Sequence, residues 1–218
     1  MKHKTLFIVA LGALLVMFVF GTLLYNLINK DQATPLPDAK RVALIRMHSP
    51  TLGKTDAPVV IVEFFDPACG TCAAFYPRVK EIMAANADRI RLVLRYAPFH
   101  KGSDKVVAVL EAARKQGKFW PALEALLLTQ DDWSPNHLPQ VDRVWKHLEG
   151  LGLDLDKVRA DMTAPEIARV IAQDLDDAQA LNVTQTPEYF VNGKPLPSFG
   201  LEQLQKLIAD ALSETRRS

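Results

Sequence analysis

Val59 to Pro77, reading VVIVEFFDPACGTCAAFYP, holds the only two cysteines of the chain and sets them at the junction of an expected strand and an expected helix. Val59 to Phe65 is a run of β-branched and aromatic residues, the composition of a strand buried on both faces. Asp66-Pro67 stops it. A helical pattern follows, in which Cys72, Phe75, Tyr76, Val79, Ile82 and Met83 recur at three- and four-residue steps. Cys69 therefore falls at the first turn of a helix, where unpaired N–H groups and the positive end of the dipole favour a thiolate. Cys72, one turn on, faces the same way and can close a disulfide. Two cysteines at this spacing cannot staple a small secreted fold, so their expected role is redox rather than structural.

The surrounding pattern supports an α/β domain. Ile90 to Ala97 reads as a second strand ended by Pro98, and the helix from Phe75 to about Ala87 joins the two strands as a βαβ crossover, so they should be parallel. A minor edge segment is expected around Val42 to Met47. From Ser103 to Leu181 the pattern is helical. Ser103 is the expected cap of a helix to about Gln116 with Gly117 as terminator, and Pro121 opens another through Leu128. Shorter helices are expected over Leu138 to Leu148 and Leu155 to Met162. Ala164 to Leu181 places Ile167, Val170, Ile171, Leu175, Ala178 and Leu181 on one face. Tyr189 to Val191 and Lys194 to Leu196 form a hairpin across Asn192-Gly193, and an amphipathic helix, Leu201 to Leu212, closes the pattern.

Strand, Cys-Gly-Thr-Cys and following helix resemble the active site of the thioredoxin superfamily, and the wider sequence, from about Ser49 to Leu212, resembles its DsbA-like thiol:disulfide oxidoreductases. Glu63, six residues before Cys69, stands where the superfamily carries a buried acid, and Pro77, five after Cys72, stands where the family helix is kinked. Thr186-Pro187 resembles the cis-proline loop that abuts the cysteine pair and pairs with an extended substrate. The helical block, including Lys118-Phe119-Trp120, is similar to the DsbA-like insertion. The resemblance implies a thioredoxin-like fold with an inserted helical subdomain at about 103–181, within a domain spanning 49–214.

Ahead of that domain, Thr5 to Asn29 carries no charged residue over 25 positions. As a helix it would span roughly 37 Å, against a hydrocarbon core of about 30 Å. Lys2 and Lys4 precede it, so residues 1–30 are expected to form a transmembrane signal-anchor with a cytoplasmic N-terminus, followed by a linker over 31–48. A cleaved signal peptide is the alternative, but the run exceeds the usual apolar core and no small-x-small site closes it. The expected location is the inner membrane, with the catalytic domain facing the periplasm or an equivalent space. With 49% hydrophobic residues the chain can bury a substantial core, and a net charge of +1 gives no reason to expect nucleic acid.

The expected chemistry is disulfide exchange with protein thiols or disulfides. Cys69 is the exposed nucleophile and Cys72 the shielded resolving thiol, with no dissociable cofactor and no metal. A membrane-bound protein is the expected redox partner. Glu63, in an apolar strand, should have a raised proton affinity and exchange protons with Cys72, unless it faces solvent at a sheet edge. Asp66 reads as a turn residue. Trp120, Trp133 and Trp145 read as core or cap residues. The alternative function is copper(I) binding by the same two thiolates. Zinc would need two further ligands, and His48, His100, His137 and His147 are scattered without ligand spacing. The direction of electron flow is not written in the residues.

Overall fold

The computed structural model describes residues 12–24 and 36–216. After a helix α1 over 12–24, the elements run α2 (Asp38–Arg41), β1 (Thr51–Leu52), β2 (Val59–Phe65), α3 (Gly70–Ala85), β3 (Ile90–Tyr96), α4 (Ser103–Lys115), α5 (Phe119–Leu128), α6 (Gln130–Trp133), α7 (Trp145–Leu148), α8 (Leu155–Asp161), α9 (Pro165–Ala180), β4 (Glu188–Val191), β5 (Lys194–Pro195) and α10 (Leu201–Glu214). The sheet order is β1-β3-β2-β4-β5. As expected from the crossover, β2 and β3 are parallel, with Val59 opposite Ile90; β4 runs antiparallel to β2, with Glu63 opposite Tyr189. The β4–β5 hairpin turns at Asn192 (φ 48°) and Gly193 (φ 79°), two successive left-handed residues that match the twist of the strands.

One core lies on the face of the sheet that carries Ile61, Phe65, Leu92, Leu94, Tyr189 and Val191, against α3, α10 and the helical insertion. Within that insertion α4 is buried almost all round, from Val106 to Ala113, because α5, α8 and α9 pack about it. The opposite face sets Val62, Phe64, Val93 and Phe190 against Ala178, Leu181 and Val183 and against Ala43 and Leu44.

Several boundaries differ from expectation for local reasons. Val42 to Met47 forms turns, and the edge strand is instead β1, two residues paired antiparallel to Leu92 and Val93. Gly102, at φ 91°, precedes α4; Ser103 is its first helical residue and donates its hydroxyl to the His100 carbonyl at 2.8 Å. Leu138 to Leu148 is no continuous helix: Leu138 to Gln140 is extended, and a single 3-10 turn over Val141–Arg143 leads to the four-residue α7. From Leu36, whose N–H donates to the Gly193 carbonyl at 3.0 Å, the chain expected as linker lies against the sheet.

The largest departure is on α9, where the buried residues are Ile167, Asp174, Asp177 and Ala178. The two acids turn inward because β3 buries Arg95 opposite them. Its Nε and Nη2 donate to Asp174 at 3.1 and 2.7 Å, Nη2 also to Asp177 at 2.6 Å, and Nη1 to the Ala43 carbonyl. Asp174 also accepts from the Tyr96 N–H at 2.8 Å and meets His48 Nε2 at 2.6 Å, while Arg46 donates to both oxygens of Asp177. Burial pushes the Asp177 carboxyl up, but hydrogen bonds from Arg46 and Arg95 outweigh it and hold the group below the usual carboxylate range.

The apolar run Thr5 to Asn29 lies partly outside the described residues. Its described part, the helix over 12–24, exposes large side chains such as Leu14, Phe18 and Phe20. Among the described residues no helix is long and apolar enough to cross a membrane.

Candidate active site

The end of β2 delivers the chain into a tight turn. Asp66, fully buried, accepts from the Ala68 N–H at 2.8 Å through one carboxylate oxygen, so its side chain builds the turn. Cys69 then caps α3: its Sγ accepts from the Cys72 N–H at 3.5 Å, and as a thiol it donates to the Thr186 carbonyl at 3.2 Å. The Thr186-Pro187 bond is cis, and this loop closes over the cysteine pair. Pro77 lies inside α3, as the resemblance implied. Both cysteines are free thiols. Cys69 is 6% exposed and Cys72 not at all, so the nucleophile is far less open than expected.

Their surroundings push the two thiols in opposite directions. The Cys72 side chain, the Thr186 side chain and the backbone N–H groups of Cys72 and Thr71 outweigh burial and lower the Cys69 thiol to about 5. Burial first, and then the neighbouring Cys69 and Glu63, push the Cys72 thiol up. Glu63 does not face solvent: it is fully buried one strand below the pair, and burial raises its carboxyl to about 8, aided by charge on Cys69. The Tyr189 hydroxyl is near enough to pull that carboxyl back down, yet no hydrogen bond of good geometry joins them.

The helical insertion supplies residues that sequence reasoning missed. Gln130 of α6 donates its Nε2 to the carbonyls of Pro67 and Cys69, at 2.7 and 3.1 Å, and so pins the turn. His100 bonds to the second oxygen of Asp66 through its backbone N–H and its Nδ1, both at 2.8 Å. Its ring stacks on His137, centroids 5.0 Å apart, and His137 Nδ1 donates to the Ala68 carbonyl at 2.9 Å. The histidines expected to be scattered therefore divide: His100 and His137 meet at the cysteine turn, His48 meets Asp174, and His147 meets Asp132. No local signal announces this, since the partners are 15 to 126 residues apart in the chain. Among the described residues no group of three or more His, Cys, Asp or Glu could hold a metal ion. Trp133 is fully buried, its Nε1 donating to the Leu126 carbonyl, while Trp120 and Trp145 are half-buried against the same core.

A family model described as thioredoxin matches residues 46–210. Among solved structures, a thioredoxin-like oxidoreductase from Silicibacter pomeroyi DSS-3 is 31% identical, with a TM-score of 0.68 over 82% of this chain and 98% of that one. Alpha-DsbA1 from Wolbachia pipientis is 18% identical with a TM-score of 0.66, covering 81% of this chain and 98% of that one, a likeness of fold. Among curated proteins, the Na(+)/H(+) antiporter NhaA 3 of Salinispora tropica is 33% identical over 168 residues, which are 75% of this chain and 25% of that protein. The chain thus spans about a quarter of the length of such a relative. With the family model matching most of the sequence and the cysteine turn, cis-proline loop and parallel β2–α3–β3 unit all in place, the chain belongs to the thioredoxin family and has the DsbA-like form of its fold.

Proposed function

We propose that this protein is a thiol:disulfide oxidoreductase acting on protein thiols or disulfides through Cys69 and Cys72. The observation that carries the reading is the divergence of two thiols one helical turn apart: Cys69 is lowered to about 5 while its partner is raised. Paired groups whose environments push their proton affinities apart divide into distinct roles. In the reducing direction the Cys69 thiolate attacks a substrate disulfide, forms a bond to one sulfur and expels the other as a thiolate. Cys72 then gives its proton to the Glu63 carboxylate and attacks Cys69 Sγ. The Cys69–Cys72 bond forms, the bond to substrate breaks, and its electron pair leaves on the substrate sulfur. The substrate gains two electrons and the cysteine pair loses them; oxidation is the reverse. The cis Thr186-Pro187 loop beside Cys69 is the proposed strand-pairing edge for substrate.

The domain is further proposed to stand on the outer face of the cytoplasmic membrane, held by residues 1–30 as a signal-anchor and passing electrons to or from a membrane-bound partner. The uncharged, exposed and mostly apolar surface of α1 and the lysines at positions 2 and 4 support that placement. The test of function is trapping: Cys72→Ser should accumulate mixed disulfides with client proteins through Cys69, and Cys69→Ser should abolish them. Stoichiometric copper(I) retention by the reduced protein, with no disulfide exchange, would overturn the reading. For the anchor, the full-length chain should stay in the pellet through high salt and carbonate; a soluble mature chain beginning near Ala33 would defeat it.

A further inference from the structure

Beneath the cysteine pair lie three buried oxygens without a hydrogen-bond partner: Oε1 and Oε2 of Glu63 and the hydroxyl oxygen of Tyr189. The register places the two residues directly opposite one another on β2 and β4, and both are fully buried. On the other side of β2, Glu63 faces Leu94 of β3, which offers no donor. Unpartnered buried oxygens are uncommon in folded proteins, and three at one register position call for an explanation in function.

An ionised Glu63 needs a hydrogen-bond donor, and few groups are placed to be one. From the start of α3 it is faced by Cys69, Cys72 and Tyr76, and from β4 by Tyr189; α10, which packs on β2 and β4, buries only apolar residues, Leu204, Leu207, Ile208, Ala211 and Leu212. Tyr76 already donates its hydroxyl to Glu124 at 2.9 Å. Cys69, bonded to the substrate sulfur at this step, has no proton to give, and the Cys72 proton is the one in transit. Tyr189 remains. Its ring is stacked on Phe75, centroids 6.2 Å apart, which fixes the phenol while leaving the O–H free to rotate.

We propose that Tyr189 is a positioning residue for the resolving step, its hydroxyl donating to the Glu63 carboxylate before proton transfer from Cys72 and accepting from the Glu63 carboxyl afterwards. The proposal rests on the assignment of Glu63 as the acceptor of the Cys72 proton. One hydrogen bond is thereby kept in both protonation states, by rotation of a single O–H. Without it the carboxylate would be buried unsolvated and Glu63 would hold its proton too tightly to serve as a base.

The experiment uses the full-length chain loaded as a Cys69 mixed disulfide with a small thiol, following release of that thiol in single turnover across pH. The wild-type rate should rise through an inflection set by the burial-raised Glu63 carboxyl, lying below the value of about 8 that holds while Cys69 carries charge. Tyr189→Phe keeps the ring and its stacking. It should move the inflection upward by about one to two pH units, the effect of one hydrogen bond to a charged group, and slow release about 10- to 100-fold near neutrality. The reactivity profile of Cys69 itself should stay in place, which a general structural disturbance would not leave untouched. An unmoved inflection in Tyr189→Phe, with Glu63→Gln abolishing it, would overturn the role of Tyr189. An inflection that survives Glu63→Gln would instead remove Glu63 as the base, and with it the premise.

Discussion

Replacing Cys72 separates the side-chain contribution to the Cys69 thiolate from that of the helix end. The Cys72 side chain is the largest influence lowering Cys69 to about 5, ahead of the backbone N–H groups of the first turn. A hydrogen bond to a charged group contributes about 1.5–3 kcal/mol, which at about 1.36 kcal/mol per pKa unit is about one to two units. Cys72→Ala should therefore titrate Cys69 at about 6–7, whereas Cys72→Ser, which keeps a donor, should stay within about a unit of wild type. Thiolate ultraviolet absorbance across pH reads this directly, and reaction with a small disulfide gives a second measure. At about pH 5 half of Cys69 is ionised, against about 0.03% of an ordinary thiol of pKa about 8.5, a ratio of about 1,600. Lower basicity reduces the intrinsic reactivity of each thiolate by about 25- to 60-fold for a Brønsted slope of about 0.4–0.5. The net advantage is about 30- to 60-fold near pH 5 and about none near pH 7. Identical titrations for Cys72→Ala and wild type would refute the assignment of the donor; an ordinary titration in every form would refute the activated thiol.

Three further outcomes follow from other contacts. Arg95→Met leaves Asp174 and Asp177 buried without their central cation and should cost about 3–5 kcal/mol near pH 7 in urea unfolding. Because the folded Asp177 carboxyl is held low, its contribution is fully present above the unfolded value of about 3.9 and lost as pH falls from there through the lowered folded value, so the deficit should shrink below about pH 4; a deficit independent of pH would count against it. In the oxidised protein, where the thiols no longer titrate, Glu63 with its raised carboxyl binds a proton that the unfolded chain releases between about pH 4.3 and about 8, so stability should fall as pH rises through that window, by up to about 5 kcal/mol. Glu63→Gln should flatten that slope, and parallel slopes for the two proteins would contradict the burial argument. Gly70→Ala would set a methyl 3.2 Å from His137 Cε1, so the imidazole should leave the Ala68 carbonyl while the midpoint of unfolding changes by only a few degrees; His137 proton resonances identical to wild type would show that the ring does not lie on Gly70.

The strand, the cysteine-bearing helix start and the hairpin were legible because their signals are local. A seven-residue apolar strand, two cysteines one helical turn apart and an Asn-Gly turn each state their structure within a few residues, and the family resemblance supplied the cis-proline loop. What escaped notice depends on distant segments meeting. Asp66 read as a turn residue and is one, but its second oxygen serves His100, and only the fold brings His137 from the insertion to the same turn. On α9 a periodic count of apolar residues could not show that Asp174 and Asp177 face inward, because the cation that draws them there is on β3. Tyr189 likewise gained its meaning from register, since it is the β4–β2 pairing that sets it against Glu63.

The Arg95 cluster also governs how the molecule comes apart. Breathing motions that separate α9 from the sheet must expose Arg95, Asp174 and Asp177 together, and the Tyr96 N–H loses its Asp174 acceptor in the same event. Opening the insertion on this side is therefore coupled to loosening β3, the parallel neighbour of the strand that leads to Cys69. Amide hydrogen exchange in α9 and in β3 should accordingly follow one common opening, making a single cooperative unit of segments nearly eighty residues apart in the chain. The α9 side of the insertion then acts less as a hinged cover than as a brace, while the segments that touch the cysteine turn are the Thr186-Pro187 loop and the insertion's own His137.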